Sequence, residues 1–302
     1  MSGAVLAPGS RKAPAALEAA ARGRTLWDDA LRRLKRNRAA MASLVLLGIL
    51  ILAAVVGPYL APFSYDHIDK VNVWAPPLTG GHILGTDSLG RDLLSRLLAG
   101  LGVSLEIGVV ATVVSLVIGV AWGAAAGYIG GWVDEVMMRF VDVLYALPFI
   151  FFVILLMVTF GRNFILMFVA IGFVQWLTMA RIVRGQTLSL KQMEFIEAAR
   201  SVGLGSGAII SRHIVPNLLG PVVVYVTLTI PDVIMTESVL SFLGMGVQEP
   251  LTSLGTLISN GAEEMELAPW LLIIPSIVMV ATLMAFNFIG DGLRDAIDPK
   301  DR

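Results

Sequence analysis

The side chains of this chain exclude several kinds of chemistry. Its 302 residues include no cysteine, so neither a thiolate metal site nor a cysteine nucleophile can form. His67, His82 and His213 are too scattered along the sequence to predict a metal site. No GxxxxGK[ST] segment is present, and neither HExxH nor GxSxG occurs with a plausible catalytic partner. The chain therefore has no means of its own to hydrolyse ATP by a phosphate-cradling loop, and it shows no motif of an intramembrane enzyme.

Acidic residues that fall within or near long apolar runs carry the remaining chemical signal. Ionisable groups are costly in a membrane, so each one indicates a pathway or a partner. Glu106 and Asp142 lie near the ends of their runs, and we interpret them as structural. The segment "IPDVIMTESVLSF" places Asp232 and Glu237 beside the helix-distorting Pro231. These two acids are our candidates for lining a path through the membrane.

The composition predicts an all-α membrane protein. Hydrophobic residues make up 56% of the chain and charged residues only 15%, and the net charge of −1 gives no reason to expect a nucleic-acid partner. A bilayer core needs roughly 20 apolar helical residues to be crossed. Six runs of about that length are predicted to span the membrane: Met41–Leu60, Val103–Tyr128, Val136–Phe160, Phe164–Val183, Leu218–Leu240 and Trp270–Ile289.

The distribution of positive charge predicts the orientation. If the N-terminus is inside, 18 of the 22 Lys and Arg residues fall in inner segments and four in outer ones. Both termini are therefore predicted to be cytoplasmic, with tails over 1–38 and 292–302 and a flexible stretch over the first 24 residues. Because a long polar segment precedes it, the first apolar run is predicted to be a retained anchor.

One inner connection, Arg184–Pro216, is too long for a simple turn at 33 residues and too charged to enter lipid. Apolar residues recur every three positions over Leu190–Val202, which predicts an amphipathic helix. Gly203 is expected to end it in a left-handed conformation, and a second short helix is predicted over Gly207–Ile214, until Pro216 breaks it. Such a helical hairpin is suited to docking into a groove of another protein.

The outer connection contains the segment "GTDSLGRDLLSRLLAG". Its leucines share one helical face, which predicts a short amphipathic helix at the outer surface with Asp87 or Ser88 as N-cap. Asp87, Arg91 and Asp92 either pair with each other or contact a delivering protein, and we favour pairing.

The hairpin text "EAARSVGLGSGAIISRHIVP" is similar to the EAA loop of bacterial ABC-importer permeases. The similarity rests on Glu197, Ala198 and Ala199, then Gly203, then Pro216 thirteen residues later, on the cytoplasmic side between the fourth and fifth spans. In that family the loop sits in a cleft of the ATP-hydrolysing subunit. The resemblance therefore implies that these five residues couple the chain to an ATPase, with Glu197 either orienting the hairpin or remaining a solvated charge.

Nearly the whole chain resembles the C-type permeases of oligopeptide importers, within the dipeptide, oligopeptide and nickel group. The segments that carry this resemblance are "LGTDSLGRDLLSR", "GYIGGWVDEVMMR", "MARIVRGQTLSLKQMEFIEAA", "RHIVPNLLG", "ESVLSFLGMGVQEPLTSLG" and "FNFIGDGLRDAIDPKDR". Leu254 departs from it, since the family usually has Trp there.

The resemblance implies a type I ABC importer permease fold in a bacterial inner membrane. It divides the chain into a first transmembrane helix over 39–61, an outer loop over 62–100 and a transmembrane domain over 101–291. It implies oligopeptide import with a homologous second permease, two ATP-binding subunits and an extracytoplasmic peptide-binding protein, with no cofactor bound by this chain. Import of dipeptides or nickel is the alternative within transport. A secondary transporter working alone is the alternative of a different class, although no inverted repeat supports it.

Overall fold

The computed structural model describes residues 26–161 and 164–297. The predicted flexible stretch, Arg162 and the last five residues lie outside these ranges. Within them the chain is helical, and its only extended pairing consists of three isolated bridges in the connection after the first span.

Eleven α-helices and one π-helical turn make up the described residues. They are α1 Leu26–Arg36, α2 Arg38–Leu60, α3 Leu93–Ile129, α4 Gly131–Ala146, α5 Phe149–Phe160, α6 Phe164–Leu190, α7 Glu194–Ser201, α8 Ser206–Ile209, the π turn Ile210–Ile214, α9 Val215–Phe242, α10 Leu254–Glu263 and α11 Trp270–Ile297.

Five helices in the described residues are long and apolar enough to cross a membrane, and a bent pair, α4 with α5, makes a sixth span if it is counted as one. The span predicted over Val136–Phe160 corresponds to this bent pair, in which the two helices meet at an angle of 80°. Proline lacks an N–H and pushes the residue before it out of the helical region. Leu147 accordingly has an extended backbone before Pro148, and α5 with its 12 residues is too short to cross alone.

The predicted short amphipathic helix of the outer connection does not exist as a separate element. Its leucines from Leu93 onward form the first turns of α3, whereas Leu89 lies before the helix. This helix has 37 residues and at 1.5 Å per residue is roughly 55 Å long. The N-cap is Asp92, whose side chain accepts from the Ser95 N–H, and not Asp87 or Ser88. An N-cap carboxylate must lie three residues before the backbone N–H that it accepts from, and Asp92 has this spacing to Ser95. The helix therefore begins at Leu93.

The predicted break at Pro216 is also absent. α8, the π turn and α9 follow one another as a continuous helical segment from Ser206 to Phe242. The Val215 N–H donates to the Ile210 carbonyl, and Pro216 falls in the first turn of α9. Pro216 has no N–H to donate, and the π turn directly before it is the local irregularity at which the helical segment continues past the proline. The first predicted helix of the hairpin is shorter than expected, since Leu190 still belongs to α6.

The helices form a bundle with two distinct ends. At one end, which we call the α10 end, the start of α3 packs against α10 and the start of α11. At the other, the α7 end, α7 and α8 pack against the last turns of α3 and α6. Leu254 is buried in the cluster at the α10 end with Leu97 and Leu257, so the smaller side chain is accommodated by close packing.

Close contact between α3 and α6 joins the α7 end to the membrane-spanning part. A side chain at Gly123 would collide with the Ala180 carbonyl and lie 2.9 Å from the Arg184 nitrogen. Small residues permit this approach of two backbones within a membrane. The two helices are therefore packed backbone to backbone at this point.

Candidate functional site

The turn after α7 has the geometry that the sequence predicted for Gly203. Gly203 has a φ of +82°, its N–H donates to the Arg200 carbonyl, and the Leu204 N–H donates to the Ala199 carbonyl. This pair of hydrogen bonds is the Schellman arrangement, which ends a helix with a left-handed residue. No atom lies within 4 Å of a side chain built at Gly203, so the restriction there is one of backbone conformation and not of space.

The buried face of α7 is narrow. Ile196 and Ala199 pack into a cluster with Val183 of α6, Ile209 of α8 and Ile214 of the π turn. The rest of α7 is exposed, including Glu197 and Ala198 of the Glu-Ala-Ala motif. Among the described residues the Glu197 carboxylate has no hydrogen bond or ion pair, while its backbone carbonyl accepts from the Ser201 hydroxyl at 3.0 Å.

Four apolar side chains around the hairpin are left uncovered. Met193, Phe195, Val202 and Leu204 are exposed by 49%, 40%, 82% and 37%. Exposed apolar side chains on a rigid hairpin, flanked by charges, are typical of a surface that another protein covers. Glu194, Glu197 and Arg200 supply those charges.

Tyr128, at the end of α3, connects the hairpin to the bundle. It is 6% exposed and packs in the same cluster as Ile196. The Arg200 Nε donates to its hydroxyl at 3.3 Å, and the Arg200 guanidinium lies 5.1 Å from the ring centroid. The Lys191 ammonium lies 5.8 Å from the same centroid, so one aromatic ring contacts a cation before α7 and a cation within it.

The two candidate acids of the translocation path have different surroundings. Asp232 lies on the exposed surface of α9. Glu237 is 0% exposed, and its Oε1 accepts from the hydroxyls of Ser241 at 2.7 Å and Ser253 at 2.6 Å. It thus lies inside this chain, where α9 meets α10, and its role as a path residue stays a prediction.

Of the two acids that we interpreted as structural, Glu106 and Asp142, one forms an ion pair. Asp142 forms an ion pair with Arg181 at 2.8 Å, whereas Glu106 is exposed on α3. Asp87 pairs with Arg91 at 2.7 Å, as favoured from the sequence. Asp92 instead accepts from the buried His82, at 2.9 Å, which the spacing of these residues did not predict.

At the α10 end a second ion pair fixes the connection between α9 and α10. Arg91 Nη1 donates to Glu249 Oε1 at 2.6 Å. This hydrogen bond from a guanidinium holds the pKa of the Glu249 carboxyl below its ordinary value of 4.5, because it stabilises the ionised form. The connection is thereby tied to the start of α3 across 158 residues of chain.

Neither the contact between Tyr128 and Arg200 nor the burial of Arg96 was predicted from the sequence. A signal for Arg96 was present, since it is one of only four Lys and Arg residues in the outer segments. No comparable signal exists for Tyr128, because the contact depends on how α7 folds back on α3.

Comparison with known families accounts for most of the chain. Residues 97–302 match the family described as "Binding-protein-dependent transport system inner membrane component". Residues 25–77 match the "N-terminal TM domain of oligopeptide transport permease C". Together the two matches include every membrane-crossing helix described above except the first four residues of α3.

Similar proteins with assigned names agree with these two family matches. The chain is 59% identical over 281 residues to the oligopeptide transport system permease protein OppC of Escherichia coli (strain K12), covering 93% of each chain. It is 41% identical to OppC of Bacillus subtilis (strain 168), covering 92% and 91%, and 43% identical to the dipeptide transport system permease protein DppC of the same organism, covering 91% and 86%.

A chain of the MetNI methionine ABC transporter, solved in inward-facing conformations, shares the fold with a TM-score of 0.53 and 18% identity, over 67% of this chain and 96% of that one. This likeness supports the type I importer permease fold. The chain belongs to the inner membrane components of binding-protein-dependent transport systems, and within them to the oligopeptide permease C group.

Proposed function

We propose that this chain is the membrane-spanning permease subunit of an ATP-driven, binding-protein-dependent importer of oligopeptides. It forms half of the translocation pore and receives the movement of the ATPases through α7. The observation that carries this proposal is the 59% identity over 93% of both chains to an oligopeptide permease. The exposed apolar hairpin at the α7 end supports the coupling role.

The subunit has four protein partners in this proposal, and it binds no cofactor itself. They are a homologous second permease, two ATP-binding subunits and an extracytoplasmic peptide-binding protein, all held at or in the lipid bilayer. ATP is bound by the ATP-binding subunits, which fits a chain without a GxxxxGK[ST] segment. The ATPases dock on Met193, Phe195, Val202 and Leu204, with Glu197 available to orient them.

The α7 end faces the cytoplasm of a bacterial inner membrane. In the topology predicted from the sequence, 18 of the 22 Lys and Arg residues fall in inner segments, to which α7 belongs, and four fall in outer ones. Because native cysteine is absent, single cysteines test this directly. We expect Ser206→Cys to react with a membrane-impermeant maleimide only from the cytoplasmic side, and Glu266→Cys only from outside.

Both positions are exposed, whereas Ser253, a simpler choice from sequence alone, is 0% exposed and bonded to Glu237. Labelling of Ser206→Cys in intact cells from outside would reverse the orientation.

Import of dipeptides is the second candidate, because a dipeptide permease is 43% identical to this chain. In the same organism the oligopeptide permease is 41% identical, so these two relatives do not separate the substrates. The relative at 59% favours oligopeptides. Cells that lack this chain should lose growth on peptides of a few residues as the source of a required amino acid, and nickel uptake should be unchanged.

The coupling role is tested at Gly203 with two replacement residues, which differ in how readily they adopt a left-handed backbone conformation. Gly203→Val places a β-branched residue at a φ of +82°, at a cost of at least ~1 kcal/mol, and re-aims α8. Gly203→Asn is the matched control, since asparagine visits the left-handed region readily. We expect the valine variant to insert into the membrane but to lose the ATPases on purification and to lose uptake, whereas the asparagine variant retains both.

The readouts are co-purification of the ATP-binding subunits and peptide-stimulated ATP hydrolysis in reconstituted membranes. Normal transport by Gly203→Val would show that α7 and its turn are not the coupling element.

A further inference from the structure

A cavity of about 270 Å³ lies at the α10 end, between the start of α3 and the helices α10 and α11. Its wall includes two arginines, Arg91 and Arg96, and the carboxylates of Asp87, Glu249, Glu263 and Glu264. The cavity is separate from the hairpin, and nothing in the coupling role uses it. A volume of this size holds one or two amino-acid residues.

The two arginines differ in what already binds them. Arg91 donates to Asp87 at 2.7 Å and to Glu249 at 2.6 Å, so both ends of its guanidinium group are engaged. Arg96 is 1% exposed, and its Nε, Nη1 and Nη2 have no hydrogen-bond partner among the described residues. Its nearest carboxylate oxygen, Asp87 Oδ2, is 3.6 Å away and is already the acceptor of Arg91.

The three nitrogens of the Arg96 guanidinium are therefore available to an acceptor that enters the cavity. The guanidinium stays charged in proteins, so burial cannot be relieved by loss of a proton. Its planar set of N–H groups matches the two oxygens of a carboxylate. The remaining wall carries four carboxylates against two arginines, so a simple anion is repelled. A fitting ligand therefore brings a carboxylate together with N–H donors.

We propose that this cavity binds the C-terminal end of a peptide substrate, with the terminal carboxylate on Arg96 and the peptide N–H groups toward the carboxylates of Glu263 and Glu264. Every linear peptide has this carboxylate whatever its side chains, so the site recognises the class of substrate and not a sequence. The inference rests on the proposed function, because it takes a peptide as the cargo.

The test uses the complete importer, reconstituted with its binding protein in vesicles, and compares tri-alanine with tri-alanine amide at equal occupancy of the binding protein. We expect wild type to take up the acid roughly tenfold faster than the amide, as is typical for loss of one charge-assisted hydrogen-bonded pair. In Arg96→Gln this ratio should fall to about one, and Arg96→Lys should give an intermediate ratio because it keeps the charge and loses the planar fork.

Lys70→Gln is the matched control, because Lys70 is an exposed cation of the same outer connection that does not line the cavity. It should keep the wild-type ratio. If Arg96 instead held an acidic side chain of the binding protein, Arg96→Gln would slow both substrates equally, and the unchanged ratio would overturn the proposal.

A second measurement separates this proposal from the proposed function. The thermal midpoint of the purified importer is measured with tri-alanine or its amide, in wild type and in Arg96→Gln. Stabilisation by the acid alone, lost in the variant, supports the site even if uptake of peptides fails. Equal effects of acid and amide on the wild-type protein overturn the site, whereas absence of any peptide uptake by wild type counts against the importer function.

Discussion

The two ends of the bundle are held together by different means. At the α10 end, side-chain hydrogen bonds join separate parts of the chain: His82 to Asp92, Ser253 to Glu237, and Arg91 to Glu249, which are 158 residues apart. At the α7 end, the hairpin attaches through a narrow apolar face and one tyrosine, and most of its surface is exposed.

This difference indicates which contacts hold the chain itself together and which surface offers itself to another subunit. Buried hydrogen bonds and ion pairs hold one geometry, because breaking any of them leaves a buried group without a partner. An exposed apolar hairpin instead gains its stabilising contacts from another subunit. We therefore expect substitutions of these bonded polar groups at the α10 end to reduce stability and substitutions of the hairpin at the α7 end to reduce coupling.

Asp92 should give the largest loss of stability. Its Oδ2 accepts from the N–H and the hydroxyl of Ser95, and its Oδ1 bonds the buried His82. Asp92→Ala removes an N-cap and leaves Nδ1 of the buried His82 without its hydrogen-bond partner, which together cost about 3 kcal/mol. The thermal unfolding midpoint in detergent should fall markedly, while ATPase coupling below that midpoint stays normal.

Asp66→Ala is the control, since Asp66 is an exposed acid of the same connection that bonds only its neighbour Ser64 among the described residues. Its effect should stay within about 0.5 kcal/mol, as is usual for surface positions. Equal midpoints for the two variants would show that the buried network does not stabilise the α10 end.

Tyr128 should give the largest loss of coupling after Gly203. Tyr128→Leu keeps an apolar side chain in the cluster but removes the ring that Arg200 and Lys191 contact, a loss of about 1–2 kcal/mol. The hairpin would then move without carrying α3, so ATP hydrolysis continues with less peptide transported. The measurement is peptide molecules imported per ATP hydrolysed.

Tyr128→Phe separates the ring from its hydroxyl. It keeps both cation contacts and loses only the 3.3 Å hydrogen bond from Arg200, so a smaller decrease is expected. A Tyr128→Leu variant that imports as many peptides per ATP as wild type would mean that the hairpin drives the bundle through its chain connections alone.

The sequence predicted best where one segment determines its own structure. The long apolar runs predicted α2, α6, α9 and α11, and the Gly203 turn followed from the conformations open to glycine. Prediction from the sequence failed where two local preferences of the chain compete. Pro148 sits within a continuous apolar run, and the proline preference prevailed over hydrophobicity and bent the span.

The site was predictable only in its local part. The Glu-Ala-Ala text and the spacing to Gly203 lie within one segment, whereas the contacts of Tyr128, Glu237 and Ser253 join residues distant in sequence. Ser253 is an example, since it lies between two helices in a loop and yet is buried, with its hydroxyl bonded to the carboxylate of Glu237. Such pairings depend on the packing of α9 against α10, which no single segment encodes.

The smallest expected effect is a pH dependence confined to the α10 end. The folded pKa of Glu249 lies below its ordinary value, because Arg91 donates to the ionised carboxylate. The stabilising contribution is therefore fully present above that ordinary pKa and is lost as the pH falls through the folded one. Glu249 is more than half exposed, so solvent screening keeps the effect small.

The difference in unfolding midpoint between wild type and Glu249→Gln should shrink from about pH 7 to about pH 3, since the protonated acid resembles the amide. Glu266→Gln, an exposed acid of the following connection, should match wild type throughout. A wild-type advantage over Glu249→Gln that persists or grows in acid would mean that the carboxylate charge is not what ties this connection to α3.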